Sequence, residues 1–164
     1  CATADATSGV SAHAAVALEG GPFVGLFRAT CAGASDVAGN AAAAVSASYQ
    51  VIYSWSGFFS VPNPPTLNKI KAGKAMALTF SLGGNYGLNV LAGGYPLARQ
   101  ISCSSRAPLG DWTRVGSQSL AYSASTGRYT YTWQTAKSAK GTCQELALGL
   151  NDGTVHSALF QLTK

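Results

Sequence analysis

Carboxylates and histidines are the side chains of this sequence that could carry out acid–base catalysis. Glycosidases need two carboxylates facing each other across a sugar, and a serine hydrolase needs a histidine beside its nucleophile. The six acidic residues form no recognisable acid–base pair, and no GxSxG motif is present. Asp36 and Asp152 lie in the turn-forming stretches DVAGN and NDG, while His13 and His156 have the surroundings of solvent-facing histidines. The sequence therefore predicts a protein that is not an enzyme.

Calcium is the metal for which the sequence offers candidate ligands. The segments DATSG and SDVAGN could place the oxygens of Asp5, Asp36 and Asn40 near one edge of a sheet. Calcium takes roughly six to eight oxygen ligands, and neither segment matches an EF-hand loop. Asp and Asn side chains also stabilise turns, which accounts for both segments without a metal. We therefore predict no metal site and no cofactor, with these three residues as calcium candidates to be checked.

The cysteines predict disulfides rather than a zinc site. They have neither CxxC spacing nor a nearby histidine. The four cysteines are Cys1, Cys31, Cys103 and Cys143. They allow three pairings, and because one pair falls in each half of the chain, we favour Cys1–Cys31 and Cys103–Cys143. Each would contribute roughly 3–4 kcal/mol in the chain-entropy model, and both indicate an oxidising, extracellular location.

Aromatic side chains are the remaining candidates for binding chemistry, since their rings could stack on sugars. Seven could form such a platform: Trp55, Phe58, Phe59, Trp112, Tyr129, Tyr131 and Trp133. The last three alternate with polar residues in RYTYTWQT and share one face of a strand, which favours a place in the core. Trp112 differs, because it lies in the polar segment GDWTRVG with Arg106 and Arg114 nearby. These three residues are the predicted ligand or partner surface.

Composition and charge bear on the class of protein. Hydrophobic residues make up 47% of the 164 residues and charged residues 10%, so the chain has ample apolar surface to bury. The formal charge is +5, but the basic residues are scattered and the densest run is NKIKAGK; we therefore predict no nucleic-acid partner. No apolar run approaches the ~20 residues of a membrane span. Without an initiator Met or a signal peptide, we expect a mature or excised segment.

Alternation of apolar and polar residues is the main signal for secondary structure. It appears in VSASYQV, KAMALTFSL and RYTYTWQT, and in two predicted hairpins, AVALEG with VGLFRATC and QELALGL with VHSALFQL. The second hairpin reverses through NDG, for which we predict a type I′ turn. No segment combines helical periodicity with a cap signal. The prediction is an all-β fold of antiparallel sandwich modules joined by tight turns.

The segment LTFSLGGNYGLNVLAGGYP has two glycine pairs and could be mistaken for a phosphate-binding loop. Such loops have GxGxxG or GxxxxGK[ST] spacing and lead from a strand into a helix. Here Gly83, Gly84 and Gly87 lead from one strand into another apolar run, without a helix signal. We therefore predict that both glycine pairs form turns that reverse strands, with Tyr86 and Tyr95 packed beside them.

Prolines mark the predicted domain boundary. Pro62, Pro64 and Pro65 follow the strand YQVIYSW and impose an extended, non-helical course on the chain. We expect a first β unit in 1–52, a stiff Pro-rich junction in 53–65, and a larger β domain in 66–164.

Four stretches of the second half together form a family signature. They are YSWSGFFSVPNPPTLNKIKAGKA, FSLGGNYGLNVLAGGYP, LAYSASTGRYTYTWQT and KGTCQELALGLNDGTVHSALFQL. From about Tyr53 to Leu162, the chain thus resembles the PxKF domain of large bacterial surface and secreted proteins. It departs from that family at the namesake tetrapeptide, where ALTF has Ala77 in place of the proline and Thr79 in place of the lysine. A role of that lysine is therefore not carried over.

The first half has looser motifs, CATADATSGV, FRATCAGASDVAGN and AAVSASYQVIY. They resemble the C-terminal part of bacterial HYR-like and related Ig-like repeats. A complete Ig-like sandwich takes ~100 residues, so the resemblance implies a partial unit that lacks the strands normally preceding Cys1. Either a longer protein has been cut, or a neighbouring molecule supplies the missing strand by donor-strand complementation.

These resemblances imply an extracellular, non-catalytic structural or adhesive module of a bacterial cell-surface or secreted protein, such as a stalk, spacer or assembly unit. The expected partners are neighbouring domains of a larger surface protein or copies of the chain itself, with a polysaccharide as a further candidate. One alternative is a carbohydrate-binding accessory module of a secreted enzyme, with Trp112 on its binding surface. Another is a subunit of an extracellular filament assembled by strand complementation.

Overall fold

The computed structural model describes residues 1–116 and 120–164. The chain divides into two compact units, Cys1–Ile52 and Tyr53–Lys164. Strands account for nearly all regular structure, and the sole helix in the described ranges is a single 3₁₀ turn, Lys137–Ala139. The predicted all-β fold is therefore confirmed. Within the same ranges, no helix is long and apolar enough to cross a membrane.

The first unit is a small antiparallel β structure. Its strands are β1 (Val10–Ala12), β2 (Ala15–Leu18), β3 (Gly25–Ala32), β4 (Ser35–Asp36) and β5 (Val45–Val51). β3 lies between β2 and β5 in a three-stranded sheet, while β1 pairs with β4 separately. The predicted hairpin is formed by β2 and β3. The loop of this hairpin passes over the ring of Phe27. A Cβ atom on Gly20 would lie 2.5 Å from the Phe27 ring, so this position requires glycine.

The second unit contains two sheets. Its strands are β6 (Leu67–Lys71), β7 (Ala75–Phe80), β8 (Leu97–Ile101), β9 (Thr113–Arg114), β10 (Leu120–Ser123), β11 (Arg128–Gln134), β12 (Cys143–Gly149) and β13 (Val155–Thr163). The smaller sheet has the order β10-β11-β7 and the larger one β6-β13-β12-β8-β9. All strand pairs are antiparallel except β6 with β13, which is parallel. That edge strand departs from the predicted antiparallel arrangement.

The core of the second unit lies between these two sheets. Because side chains alternate along a strand, β11 directs Tyr129, Tyr131 and Trp133 to its inner face, and all three are buried as predicted. The inner face of the larger sheet contributes Leu146, Leu148, Ala158, Phe160 and Leu162. The ring centroids of Trp133 and Phe160 are 5.1 Å apart. The two apolar faces therefore cover each other.

The proline-rich segment 53–65 belongs to the second unit, which corrects the expectation of a stiff junction. Tyr53, Phe58 and Val61 are buried, and Trp55 stacks on Phe80 with ring centroids 4.9 Å apart. The segment also forms a β-bridge with the residue that follows β7. The density of prolines indicated a linker, but the aromatic residues among them pack into the core. The boundary between the units still falls where the first region was predicted to end.

The hairpin of β12 and β13 forms as predicted, but its turn is of another type. A type I′ turn has positive φ at both central residues. Here Gly153 has a φ of 85°, whereas Asn151 and Asp152 do not have positive φ. The Gly153 N–H donates to the Leu150 carbonyl at 2.9 Å, so the left-handed residue follows the turn instead of occupying its centre. Three-residue hairpin loops commonly have this arrangement.

The two glycine pairs of LTFSLGGNYGLNVLAGGYP behave differently. Gly93 and Gly94 form a hydrogen-bonded turn two residues before β8, as predicted. Gly83 instead marks a close approach, since a Cβ there would lie 2.7 Å from the Cβ of Ser54. The apolar run after it is irregular and makes a single β-bridge, between Leu91 and Leu150. The first pair therefore does not reverse one strand into another.

Both predicted disulfides are present. Cys1–Cys31 ties the first residue to β3, and Cys103–Cys143 ties the loop after β8 to β12. A small second cluster surrounds the buried sulfur of Cys143 on the outer face of the larger sheet, and it consists of Ile101, Leu159 and Leu67.

Candidate functional site

The predicted residues Trp112 and Arg114 lie at the β9 edge of the larger sheet. The Arg99 guanidinium carbon lies 4.3 Å from the centroid of the Trp112 ring, within the range of a cation–π contact. Arg99 also donates two hydrogen bonds to Glu145 Oε2, from Nη2 at 2.8 Å and from Nε at 2.9 Å. Glu145 and Arg99 are cross-strand partners on β12 and β8. One face of the Trp112 ring is thus held by this ion pair, and 38% of the residue remains exposed.

Arg106 has a different environment from the other two predicted residues. Its backbone is left-handed, with φ of 66°. Its guanidinium donates to the carbonyls of Cys103 and Ser104 in its own loop. Its Nε is enclosed without a partner among the described residues. The Arg106 side chain therefore stabilises its own loop, next to the Cys103–Cys143 disulfide. For this reason, we do not include Arg106 in the candidate surface.

A groove of about 470 Å³ opens between the two sheets of the second unit, beside β9. We call it the β9 groove. The charged and amide residues that border it are Arg99, Gln100, Asp111, Arg114, Gln134 and Gln144. Gln100 and Gln144 are cross-strand partners on β8 and β12. Trp133 adds part of the wall, although only 2% of it is exposed. Arg114 borders the groove, but because it pairs with Leu97, its side chain lies on the face of the sheet opposite to Gln100 and Gln144.

The three calcium candidates line one small pocket of about 210 Å³ in the first unit. Asp36 accepts hydrogen bonds from the Asn40 side chain and backbone N–H, both at 2.7 Å, and these lower its pKa. Asp5 accepts from the Thr7 N–H and the Ser8 hydroxyl, which lower its pKa in turn. Both carboxylates therefore stabilise turns. Across the described residues, no three His, Cys, Asp or Glu side chains cluster closely enough to hold a metal ion.

One face of the β2-β3-β5 sheet has no charged residue and no layer of the first unit packed over its middle. We call it the open face. The strand register places on it Val16, Leu18, Phe27, Ala29, Cys31, Val45, Ala47, Tyr49 and Val51. Leu18 is 66% exposed and Val45 69% exposed. Monomeric domains normally pack such a face against a second layer, so the open face is a candidate partner surface.

The edges of the same sheet are also unprotected. β2 has the sequence AVAL and β5 the sequence VSASYQV, without a charged residue in either. The edge strand β6 of the second unit differs, because it carries Lys69 and Lys71. Lysines on an edge strand discourage pairing with other chains. The first unit lacks this protection on both sides of its sheet.

A polar row beside Trp55 was not predicted from the sequence. The Thr154 hydroxyl lies 2.7 Å from Asp152 Oδ1 and 3.1 Å from His156 Nε2. Asp152 also accepts a hydrogen bond from the Tyr53 N–H at 2.8 Å. Asp152 is thus a buried anchor of the segment 53–65 as well as a turn residue.

His156 does not face solvent freely, which corrects the sequence interpretation. Its ring stacks on Trp55 with centroids 3.7 Å apart and planes 2° apart. Burial lowers the pKa of His156, and the nearby Asp152 carboxylate opposes that shift. The row therefore connects the β12–β13 turn, through Thr154, to His156, which stacks on Trp55 and has a lowered pKa.

Some of these contacts could be predicted from the sequence, and others depend on the register between strands. Alternation in LARQI and CQELALG assigns faces to Gln100 and Gln144, but their meeting depends on the register between β8 and β12. The contact of Arg99 with Trp112 likewise depends on how β9 joins the edge of the sheet. The resemblance to PxKF and Ig-like modules stays a prediction. No known family model, curated protein or solved structure matches this chain.

Proposed function

We propose that this chain is a non-catalytic structural and adhesive module of a bacterial cell-surface or secreted protein, in which the first unit serves for assembly. The observation that carries the proposal is the open face of the β2-β3-β5 sheet. Fully burying a Val or Leu side chain contributes about 1.5–3 kcal/mol. Several Val and Leu side chains of this face are exposed. A β-structure from outside the unit that covered the face would therefore bury them and stabilise the first unit.

The second unit fits the role of a stalk or spacer. Its two sheets bury a continuous aromatic and aliphatic core, and Cys103–Cys143 joins a loop to a central strand of the larger sheet. We therefore expect the second unit to stay folded without a partner. The two disulfides are typical of proteins in oxidising compartments, and the resemblance of the second half to PxKF domains supports a bacterial surface context.

Strand complementation is the second candidate function, and the uncharged edges of the first unit favour it. Three strands about 4.8 Å apart and about five residues long cover roughly 240 Å². A stable interface needs about 800 Å² on each partner, so contact between two open faces alone would be weak. A strand added at the β2 or β5 edge would contribute backbone hydrogen bonds, and other parts of the same donor would have to cover the open face. The donor is either a neighbouring domain or another copy of the chain.

Leu18→Lys tests the proposed assembly surface, because it places a charge on the open face at an exposed position. Leu109→Lys is the matched control, since Leu109 is an exposed leucine of the second unit. We expect the unmodified chain to bind the hydrophobic dye ANS and to associate as its concentration rises in sedimentation velocity. Leu18→Lys should weaken both properties, and Leu109→Lys neither.

The two measurements separate the candidate partners. Association that Leu18→Lys abolishes identifies another copy of the chain as the donor. Dye binding by a strictly monomeric chain identifies a neighbouring domain instead. A chain that neither associates nor binds the dye, or a Leu18→Lys variant that behaves like the unmodified chain, would contradict the proposal.

A further inference from the structure

The strand β13 has an unpaired edge at its beginning. Directly before it, the Thr154 carbonyl accepts a hydrogen bond from the Leu150 N–H at 2.9 Å, across the hairpin with β12. Hydrogen-bonded and non-hydrogen-bonded residues alternate along an antiparallel pair, so Val155 and Ser157 direct their N–H and C=O groups away from β12. On that side, β6 pairs with β13 only from Leu159 onward.

The chain before β6 does not fill this edge. Continued toward its start, the parallel ladder of β6 with β13 would next use Pro65 and Pro64, which have no N–H groups. The Thr66 N–H already donates to the Asn63 carbonyl at 3.2 Å. Within residues 1–116 and 120–164, no hydrogen bond reaches the main-chain groups of the two outward-facing residues of β13. Two N–H and two C=O groups therefore form a short open ladder.

A groove of about 430 Å³ runs along this open ladder. We call it the β13 groove, and its walls are residues of the segment 55–64 and residues 155–157 of β13. Its volume lies within the range of roughly 300–1,000 Å³ found for ligand sites. None of the described residues that line it is Asp, Glu, Lys or Arg. The groove therefore offers hydrogen bonds without a formal charge.

Two side-chain groups add hydrogen-bonding capacity to the β13 groove. A Cβ on Gly57 would lie 3.5 Å from the Asn63 side-chain amide and 3.7 Å from Trp55 Nε1, so these two groups are near each other. The rings of Phe80 and His156 both stack on Trp55, with centroids 4.9 Å and 3.7 Å from it. The ring of Trp55 therefore serves packing, and its Nε1–H is the part that can donate to a ligand.

From these observations, we infer that the β13 groove binds an extended, uncharged segment of a partner polypeptide, which adds a short strand to the edge of β13. An unpaired edge is a template for another chain. Roughly three residues of an extended segment span the distance from Val155 to Ser157. A main chain supplies alternating N–H and C=O groups at the spacing of this ladder. A sugar would gain most from an open aromatic face, and the ring of Trp55 is already stacked within the protein.

Titration of the whole, oxidised chain with the peptide acetyl-Thr-Val-Thr-Val-Thr-amide, followed by NMR, tests this inference. The peptide is neutral, and its β-branched residues favour an extended conformation. We expect saturable shifts of the backbone amides of Val155 and Ser157 and of the Trp55 indole N–H. The matched control is the same peptide methylated at the backbone nitrogen of every residue. It should bind about tenfold more weakly or less, because it cannot donate to the carbonyls of the edge.

Val155→Pro tests the edge from the side of the protein. Proline is tolerated at the first residue of a strand, and the N–H that it removes is not used in the hairpin with β12. The affinity for the peptide should fall about fivefold, which corresponds to the loss of one hydrogen bond. Val155→Ala is the matched control, since it shortens the same side chain and keeps the N–H. It should leave the affinity within about twofold.

Three results would overturn the inference: no saturable shift at the edge residues, equal binding of the methylated peptide, or equal affinities of Val155→Pro and Val155→Ala. The first two use the unmodified chain and do not depend on how a variant folds. Maltotriose that shifts the same resonances at a lower concentration than the peptide would overturn the choice of a polypeptide. The site lies on the second unit, so none of these outcomes bears on the assembly surface, whose test uses Leu18→Lys.

Discussion

The two units of this chain use the same strand pattern with opposite results. In the second unit, the apolar faces of two sheets cover each other and bury Leu78, Phe80 and Phe160 completely. In the first unit, an equally regular alternation leaves Leu18 and Val45 largely exposed. Alternation therefore establishes which face of a strand is apolar, but whether that face is covered depends on how many layers the chain supplies.

Removal of a core ring should separate the units most clearly. Phe80 is fully buried and stacks on Trp55 and Tyr129. Phe80→Ala should lower the free energy of unfolding of the second unit by about 3–5 kcal/mol. Phe23→Ala, at an exposed phenylalanine of the first unit, should change stability by less than about 0.5 kcal/mol. Urea unfolding followed by circular dichroism measures both, and equal losses would contradict the contrast between the units.

Loss of each disulfide is the next largest expected effect. The two bridges span 30 and 40 residues, and each should contribute about 3–4 kcal/mol. The double variant Cys1→Ala with Cys31→Ala should unfold the first unit, because that unit has little buried core to replace the bridge. The corresponding change at Cys103 and Cys143 should lower the Tm of the second unit and leave it folded. Calorimetry measures both transitions, and a first unit that melts unchanged without its disulfide would contradict this assignment.

The buried carboxylate of Asp152 should contribute less than either disulfide. It accepts hydrogen bonds from the Tyr53 N–H and from the Thr154 N–H and hydroxyl. Asp152→Asn removes the charge and turns a donor toward one of these N–H groups, so it should cost about 2 kcal/mol. Asp36→Asn, at a turn of the first unit, should not change the transition of the second unit. If Asp152→Asn were also neutral, segment 53–65 would not depend on this anchor.

Titration of His156 should give the smallest effect. Burial lowers the pKa of His156 in the folded chain. As the pH falls below the unfolded-state pKa of about 6.5, His156 therefore becomes protonated in the unfolded chain while it is still neutral in the folded chain. Stability should therefore decrease as pH falls from there to the folded-state pKa and level off below it. The fluorescence of Trp55 should change over the lower part of that range, because its ring stacks on His156. His156→Gln should abolish this pH dependence, and exposed His13→Gln should preserve it; an unchanged profile in His156→Gln would assign the titration to another group.

Local patterns predicted much of the fold correctly. Alternation located the strands, including the inner face of Tyr129, Tyr131 and Trp133, and one cysteine pair in each half gave the disulfides. These features depend on periodicity and on the position of residues along the chain. They do not require knowledge of how the sheets meet.

Features that depend on contacts distant in sequence were missed. The segment 53–65 has the proline content of a linker, but the rings of Trp55 and Phe58 pack in the second unit. The β9 groove requires β8, β9, β11 and β12 in their observed registers. Trp112 and Arg114 were selected from a polar segment, and the partners Arg99 and Glu145 could not be identified without that register.

Hydrogen exchange of the oxidised chain, measured at low and at high protein concentration, tests the central claim most directly. At low concentration, the backbone amides of β2, β3 and β5 should exchange much faster than those of β11, β12 and β13, because the open face has no covering layer. If another copy completes the sheet, protection of β2 or β5 should rise with concentration in the unmodified chain and not in Leu18→Lys. Amides of the first unit that are as protected as those of the second at low concentration would contradict the account.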